Sequence, residues 1–294
     1  MRQSLYALPF LLLACCADKA APPSRFPTAG DALDRMHATF RACNAIKSQS
    51  GSFDDFSGSQ RVRGELSIYA ARPNRIRMDG FAPPPVNSQI AILTSDGERF
   101  AYFDMREKRF LVGPASDCNV QRLTKVPVPA HVMVEILMGQ APVLKHDNAQ
   151  ASIAWAGQGY YVVRVPGTNE SLEEIHLVPR PEDFQKPWGE QRLRVLDVSV
   201  VQQGTTLYHV AMDDHATPPM DKPILPQIPG DPSVPLSGPF CDAEVPYKIK
   251  VEIPLKSEDV QFRYKEIFWN PPIQSDTFVQ QAPPGMRPEH VVCQ

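Results

Sequence analysis

Apolar and polar residues alternate with a period of two along most of the chain, which predicts short β-strands. The alternation is clear over 66–70 and again over 75–79. Asp96-Gly97 stands between two apolar runs and is typical of a hairpin turn. The C-terminal half predicts further strands near 151–156, 160–166, 172–178, 192–202, 205–212, 246–253 and 259–269. The pattern indicates one domain of roughly ten or eleven antiparallel strands.

Helical spacing occurs in two short segments. Leu33, Met36 and Phe40 recur at three- and four-residue intervals, which predicts an amphipathic helix over about 30–46. Proline before an apolar run and glycine after it predict a second helix over about 129–138. The chain is therefore expected to be mainly β, with two short helices.

Composition supports this interpretation. Proline is abundant, with 31 residues in 294, about twice ordinary usage, so an all-helical fold is excluded. The densest prolines lie in 217–239, which is predicted to be an extended surface loop inserted between strands. Residues 49–59 are rich in glycine, serine and aspartate and are also predicted to form a loop. A hydrophobic fraction of 43% argues against disorder, and a net charge of -3 argues against nucleic-acid binding.

The N-terminus has the order of a bacterial export signal. Residues 1–14 combine Arg2 with a short apolar run, and Ala14-Cys15 resembles the lipobox, in which the cysteine is lipidated. We expect Cys15 to carry the lipid, residues 15–28 to form a flexible tether, and 29–294 to form the domain. Such a protein would be exported and anchored at the periplasmic face of the bacterial outer membrane. An acyl anchor would be its contact with the membrane.

Export permits disulfides. The candidates within the domain are Cys43, Cys118, Cys241 and Cys293, which allow three pairings. We favour Cys241 with Cys293, because both follow proline-rich stretches. The sequence has no C-x-x-C pair, so neither redox catalysis nor structural zinc is expected.

Catalytic motifs are not found in the sequence. It has no phosphate-binding loop, no G-x-S-x-G elbow and no H-E-x-x-H. The densest polar cluster, His209, Asp213, Asp214 and His215, is interpreted as a solvated strand end rather than a metal site. We therefore expect no catalytic residue, metal or cofactor, and a hydrolase is the third-ranked hypothesis.

Three motifs occur in an order that resembles a known superfamily. They are Arg72-Pro73-Asn74 at a strand junction, Ser95-Asp96-Gly97 before an aromatic strand, and Pro283-Pro284-Gly285 near the end. In this order they resemble the outer-membrane lipoprotein carrier and receptor superfamily (LolA/LolB-like). The resemblance implies an incomplete, strongly curved antiparallel β-barrel with helices covering its mouth. It further implies an apolar concave face that accepts acyl chains of lipids or lipoproteins.

The resemblance and the alternation together suggest a site. The expected lining of an acyl-chain cavity is Leu66, Ile68, Ile76, Met78, Ile90, Ile92, Phe100 and Tyr102. Arg72 matches an arginine that gates the family's cavity. The alternative is that these apolar residues fill a closed core. A different class of function, a structural lipoprotein that binds a protein or envelope polymer through 217–239, also remains open.

Overall fold

The alternating pattern folds most of the chain into one large sheet. We describe it from a computed structural model covering residues 18–58, 60–126, 128–226, 228 and 232–292. The signal segment and Cys15 lie outside the described residues. The described strands are β1 (Ala45–Ser57), β2 (Gln60–Ala71), β3 (Arg75–Phe81), β4 (Gln89–Ser95), β5 (Arg99–Asp104), β6 (Arg109–Pro114), β7 (Ser152–Ala156), β8 (Tyr160–Pro166), β9 (Ser171–Pro179), β10 (Leu193–Gln202), β11 (Thr205–Ala216), β12 (Val245–Ile253), β13 (Glu258–Trp269) and β14 (Glu289–His290).

The strands follow one another through the sheet in the order β14-β6-β5-β4-β3-β2-β1-β13-β12-β11-β10-β9-β8-β7. Neighbours are antiparallel except β14, which runs parallel to β6. The end strands β14 and β7 do not pair with each other, so the curled sheet stays open. The mainly β, incomplete-barrel prediction is confirmed, with fourteen strands among the described residues instead of ten or eleven.

Strand β1 corrects the prediction of a loop at 49–59. Ala45–Ser57 pairs with β2 on one side and β13 on the other, so its backbone groups are satisfied despite its polar composition. Gly51 is needed there, because a Cβ would lie 2.7 Å from the Arg263 carbonyl oxygen of β13. Glycine here marks a close backbone approach within the sheet.

Three α-helices occur in the described residues: α1 (Ala29–Thr39), α2 (Asp117–Thr124) and α3 (Ala130–Leu137). Thr28 and Asp31 form a capping box at the start of α1. The predicted extension of α1 to residue 46 is wrong, because the chain enters β1 at Ala45. Helix α3 matches its prediction, whereas α2 was not predicted.

The helices cover the inner face of the sheet. α1 packs against β8 and β10, α3 against β2 and β3, and α2 against β4. Their apolar faces join those strands in one core, in which Met36 of α1 and Met133 of α3 are fully buried. The core is thus formed between the concave sheet and the helices laid across it.

The proline-rich segment lies against the end of β13. Met220 and Leu236 form bridges to Trp269 and Pro272, while Ile224 pairs with Val234. Lys47 of β1 adds an ion pair with Asp221 at 2.6 Å. Both ends of the insertion are therefore attached to the sheet, as an extended rather than central element.

Asn270, which follows β13, is the buried hub of this attachment. Its side-chain oxygen accepts the Asn44 backbone N–H at 2.7 Å. Its side-chain nitrogen donates to the carbonyls of Ala42 at 2.8 Å and Pro239 at 2.6 Å. One fully buried amide therefore joins the end of β13, the entry to β1 and the end of the proline-rich segment.

A disulfide secures the same point. Cys43 is bonded to Cys241 across 198 residues of sequence, with a Cα–Cα distance of 5.3 Å. The favoured pairing of Cys241 with Cys293 is therefore wrong, because Cys241 is held beside the entry to β1. Cys118 is disulfide-bonded as well, and Cys293 lies outside the described residues.

The last part of the predicted tether is attached to the domain. The carbonyl of Lys19 accepts the Trp155 indole N–H at 2.9 Å, and Ser24 accepts the Trp188 backbone N–H at 3.0 Å. Phe26 is buried against Tyr161 and Trp188. Residues 19–28 are therefore docked on the β7–β8 side of the domain, so the tether is shorter than predicted.

Removing the Cys43–Cys241 disulfide should lower stability. We expect the Cys43→Ala/Cys241→Ala variant to lose about 2–5 kcal/mol of unfolding free energy, because the bond closes a very long loop in the unfolded chain. Urea denaturation followed by tryptophan fluorescence under non-reducing conditions measures this. An unchanged urea midpoint would show that the disulfide does not contribute to the free energy of unfolding.

Candidate functional site

Six of the eight predicted cavity residues lie together on the inner face of the sheet. Ile68 is paired with Met78, and Leu66 and Ile76 occupy the same face of β2 and β3. Phe100 and Tyr102 continue that face on β5. The first five residues of this group are nearly or fully buried, and Tyr102 is partly buried against them.

Ile90 and Ile92 are placed wrongly by the prediction. Ile92 is paired with Asp79, while Leu93 is paired with Met78 of the inner face. Ala91 and Leu93 therefore point inward, and the two isoleucines lie on the other face, half-buried. The error is a shift by one residue, which exchanges the faces of a strand.

The inner wall formed by β2, β3 and β4 is packed. Ile68, Met78 and Leu93 belong to the same buried cluster as Met133 and Leu137 of α3. At this end of the sheet the structure agrees with the filled-core alternative. Open apolar space is found elsewhere.

An apolar groove lies between α3, the segment 140–145 that follows it, and strands β10 and β11. Its volume is about 730 Å³, within the roughly 300–1,000 Å³ of small-molecule sites. His37 and His131, Glu135 on α3, and Lys145 and Lys256 bring polar groups to it. Its main apolar lining is Val128, Val132, Val143, Leu144, Val200, Leu207, Tyr208, Ile253 and Leu255.

Local irregularities of the sheet shape this groove. Val200 is paired with Tyr208 and Val201 with Thr206, so Leu207 is an extra residue in β11. Such a bulge redirects a side chain, and Leu207 lines the groove. Sequence reasoning missed this site, since its residues come from distant segments. The one available signal was the apolar Pro142-Val143-Leu144, which follows α3 without belonging to a predicted strand.

Charged groups lie in the groove, at His37 and Glu135, and beside it, at Arg72. Burial raises the pKa of Glu135, and the nearby Arg72 charge partly offsets that shift. Burial likewise lowers the pKa of Arg72 and of His37. Arg72, at the end of β2, donates to the Phe40 carbonyl at 3.2 Å. It thereby joins β2 to the C-terminal end of α1, next to the charge of Glu135.

Glu173 is the most unusual of the buried groups near the groove. It lies on the inner face of β9, paired with Val200, and is fully buried. Its Oε2 accepts the backbone N–H of Leu144 at 2.8 Å. Burial raises the pKa of Glu173 to about 8 despite that hydrogen bond, and the negative charge of Glu135 adds to the shift. Its carboxyl is therefore mainly protonated at neutral pH.

The polar cluster at the end of β11 does not converge. His209 lies between Asp197 at 2.6 Å and Glu252 at 3.0 Å, on the outer face of the sheet. Asp213 binds Lys248, and His215 bonds to the Val195 carbonyl. Within the described ranges, no group of three or more His, Cys, Asp and Glu residues is arranged to hold a metal ion. His209, Asp213 and His215 therefore contact different neighbours and do not form a common site.

The helices of the described part of the chain are too short or too polar to cross a membrane. The sequence matches no protein-family model and no curated protein.

Several solved structures are similar in fold. A DUF1329 family protein from Desulfovibrio piger has a TM-score of 0.48 and 10% identity, covering 85% of this chain and 95% of that one. A LolA superfamily protein from Nitrosomonas europaea has a TM-score of 0.47 and 12% identity, covering 87% and 99%. A putative outer membrane lipoprotein-sorting protein domain from Vibrio parahaemolyticus has a TM-score of 0.46 and 6% identity, covering 86% and 96%.

These neighbours include a protein of the superfamily that the sequence resembles. With TM-scores below 0.5 and identities of 12% or less, they do not define the function. The chemistry must come from this chain's own residues.

His209 should make stability depend on pH. Its hydrogen bond to Asp197, together with Glu252, raises its pKa from 6.5 to about 9. The folded state therefore holds the proton more tightly, so this stabilisation is complete below pH 6.5 and is lost as pH rises through 9. We expect His209→Gln to be less stable than wild type at pH 6 and nearly equal at pH 10, measured by urea denaturation. A difference that stays constant over this range would contradict the assignment.

Proposed function

We propose that this protein binds the acyl chains of lipids or lipoproteins in the groove between α3, residues 140–145, β10 and β11. The observation that carries the proposal is the 730 Å³ of largely apolar space left beside a packed core. Monomeric proteins seldom leave such a surface uncovered without a binding role. The lining is aliphatic, with charged side chains confined to a few positions, as an acyl chain requires.

Binding of this kind needs area rather than reactive groups. Each methylene transferred from water to an apolar site contributes about 0.8 kcal/mol. A chain of several methylenes along Val132, Val200 and Leu207 would therefore bind without a catalytic residue. The role that follows is carriage or reception of a lipid, with no enzymatic step and no cofactor.

The proposed location is the cell envelope. Residues 1–14 and Cys15 have the order of a lipoprotein signal, and the Cys43–Cys241 disulfide suits an oxidising compartment. We place the protein at the periplasmic face of the outer membrane, anchored through Cys15. Within this function Arg72 is the candidate gating residue, since it joins β2 to α1 beside the groove.

Filling the groove should abolish ligand uptake. We expect Leu207→Trp to weaken binding of the fluorescent apolar probe N-phenyl-1-naphthylamine at least tenfold, because the indole occupies the space at the β11 bulge. Leu172→Trp is the matched control, since Leu172 lies on the outer face of β9 and outside the groove. A folded Leu207→Trp protein that binds the probe like wild type would exclude this groove as the site.

A second function is favoured by one observation. Leu225 and Ile228 of the proline-rich segment are 70% and 65% exposed. Extended proline-rich chain lends itself to docking, because it has little entropy left to lose. In this alternative the proline-rich segment binds a protein or an envelope polymer, and the groove binds no ligand.

Deleting residues 222–235 separates the two functions. Asp221 and Leu236, on either side of the deletion, keep their contacts with the end of β13. We expect the shortened protein to take up the probe with unchanged affinity, because the groove contains no residue of this segment. Loss of probe binding in a stably folded deletion variant would instead make the proline-rich segment part of the lipid site.

A further inference from the structure

Glu173 interrupts an otherwise apolar row of side chains. Pairing across β9, β10 and β11 places Glu173, Val200 and Tyr208 side by side on the inner face of the sheet. Val200 and Tyr208 line the groove, and Glu173 is paired with Val200 just outside that lining. Leu172, its neighbour in sequence, points outward and is 39% exposed. The strand thus buries its charged residue and exposes its apolar one, the reverse of ordinary patterning.

The two carboxyl oxygens of Glu173 differ. Oε2 accepts the Leu144 N–H at 2.8 Å, whereas Oε1 is buried and has no hydrogen-bond partner within the part of the chain that the structure describes. At neutral pH the carboxyl holds a proton, because burial raises its pKa to about 8. Since Oε2 acts as the acceptor, the proton belongs on Oε1. The result is a buried O–H donor without an acceptor, which is costly unless something fills that role.

We propose that Glu173 Oε1–H donates a hydrogen bond to the carbonyl oxygen of an acyl ester or amide bound in the groove. This inference rests on the groove being the acyl-chain site proposed above. The ligand approaches by displacing the side chain of Leu144, which is only partly buried, while the Leu144 N–H stays on Oε2. The ligand thereby supplies the acceptor that Oε1 lacks.

The groove holds charges of both signs, so the choice of ligand head rests on the donor and its immediate neighbour. The negative charge of Glu135 on α3 acts on Glu173, while the other titratable side chains of the lining are His37, His131, Lys145, Tyr208 and Lys256. A protonated Glu173 offers one hydrogen bond and no charge to pair with an ion. An ester or amide carbonyl accepts that bond without bringing a second negative charge towards Glu135.

The test compares an ester with an alkane of the same heavy-atom count. Methyl decanoate and tridecane compete for the groove against N-phenyl-1-naphthylamine. The ester preference is the ratio of ester to alkane affinities, because the alkane has more apolar surface and binds an apolar site more strongly when no hydrogen bond is made. In wild type we expect this ratio to be about fivefold higher at pH 6.5 than at pH 9.5, in keeping with one neutral hydrogen bond. At pH 9.5, above the titration of Glu173, the carboxylate can no longer donate, so the ratio should fall to the value set by the apolar surfaces of the two ligands alone.

Two variants isolate the donor. Glu173→Gln keeps an oxygen for Leu144 and an N–H for the ligand, so it should retain the ester preference at both pH values. Glu173→Met removes the donor and also the acceptor of the Leu144 N–H, so it is judged by the ester-to-alkane ratio and not by probe affinity. That ratio should be as low at pH 6.5 as it is at pH 9.5. Glu174→Met is the matched control, because Glu174 lies on the outer face of β9 with Arg164 and His176. It should behave like wild type.

The outcomes separate this inference from the proposed function. An ester preference that is unchanged in Glu173→Met, or in wild type at pH 9.5, would overturn the role of Glu173 while leaving the groove as the lipid site. Failure of wild type to bind the probe would reject the proposed function itself. If Glu173→Met does not fold, the hydrogen bond can be tested in wild type through the infrared carbonyl band of protonated Glu173. That band should shift when methyl decanoate binds and be missing from Glu173→Gln, whereas an unmoved band would contradict the hydrogen bond.

Discussion

The architecture depends on one constraint, which is that the concave face of a very large open sheet must be covered. The edge strands of this curled sheet do not meet, so the sheet cannot bury its apolar concave face by closing on itself. Other elements must cover that face. Helices α1 and α3 cover the strands on which they lie, and residues 19–28 cover part of the β7–β8 side. The groove is the part of the concave face that these elements leave open.

The second requirement is that the covering elements be held in place. Asn270 and the Cys43–Cys241 bond meet it together, since they join the turn after α1 to the end of β13 and to the proline-rich segment. Arg72 adds a direct bond from β2 to the end of α1. The rim of the groove is therefore fixed at α1, while Leu144 is held by packing against the core and by its backbone N–H bond to Glu173.

Much of the fold could be predicted from alternation alone. Strands β7 to β13 were predicted within a few residues, because their apolar positions face one buried side and their turns carry glycine. Strand β1 could not be predicted, since its polar residues are kept in a strand by two neighbouring strands that are distant in sequence. The face of the sheet on which each residue of β4 lies was also predicted wrongly. Ile90 and Ile92 are apolar like the inward-facing Ala91 and Leu93, so both faces of the strand look alike in the sequence.

The candidate site was much less predictable. The groove between α3, residues 140–145, β10 and β11 exists only once the sheet has curled, and no local sequence pattern predicts it. The buried role of Glu173 runs against the rule that charged residues lie outside, so the strand predicted over 172–178 did not single it out as a site residue. Only the register with Val200 shows that it faces inward. Functional positions are where local rules are expected to fail.

The central claim is that this protein carries an acyl chain in its groove. Native mass spectrometry of the periplasmic Cys15→Ser protein, isolated without detergent from a bacterial host, tests it most directly. If the groove holds an acyl chain, this protein should carry a bound species with the mass and fragments of an acyl ester or amide, which disappears in Leu207→Trp and persists in Leu172→Trp. A protein that is ligand-free in all three forms, or that keeps its ligand in Leu207→Trp, would contradict it.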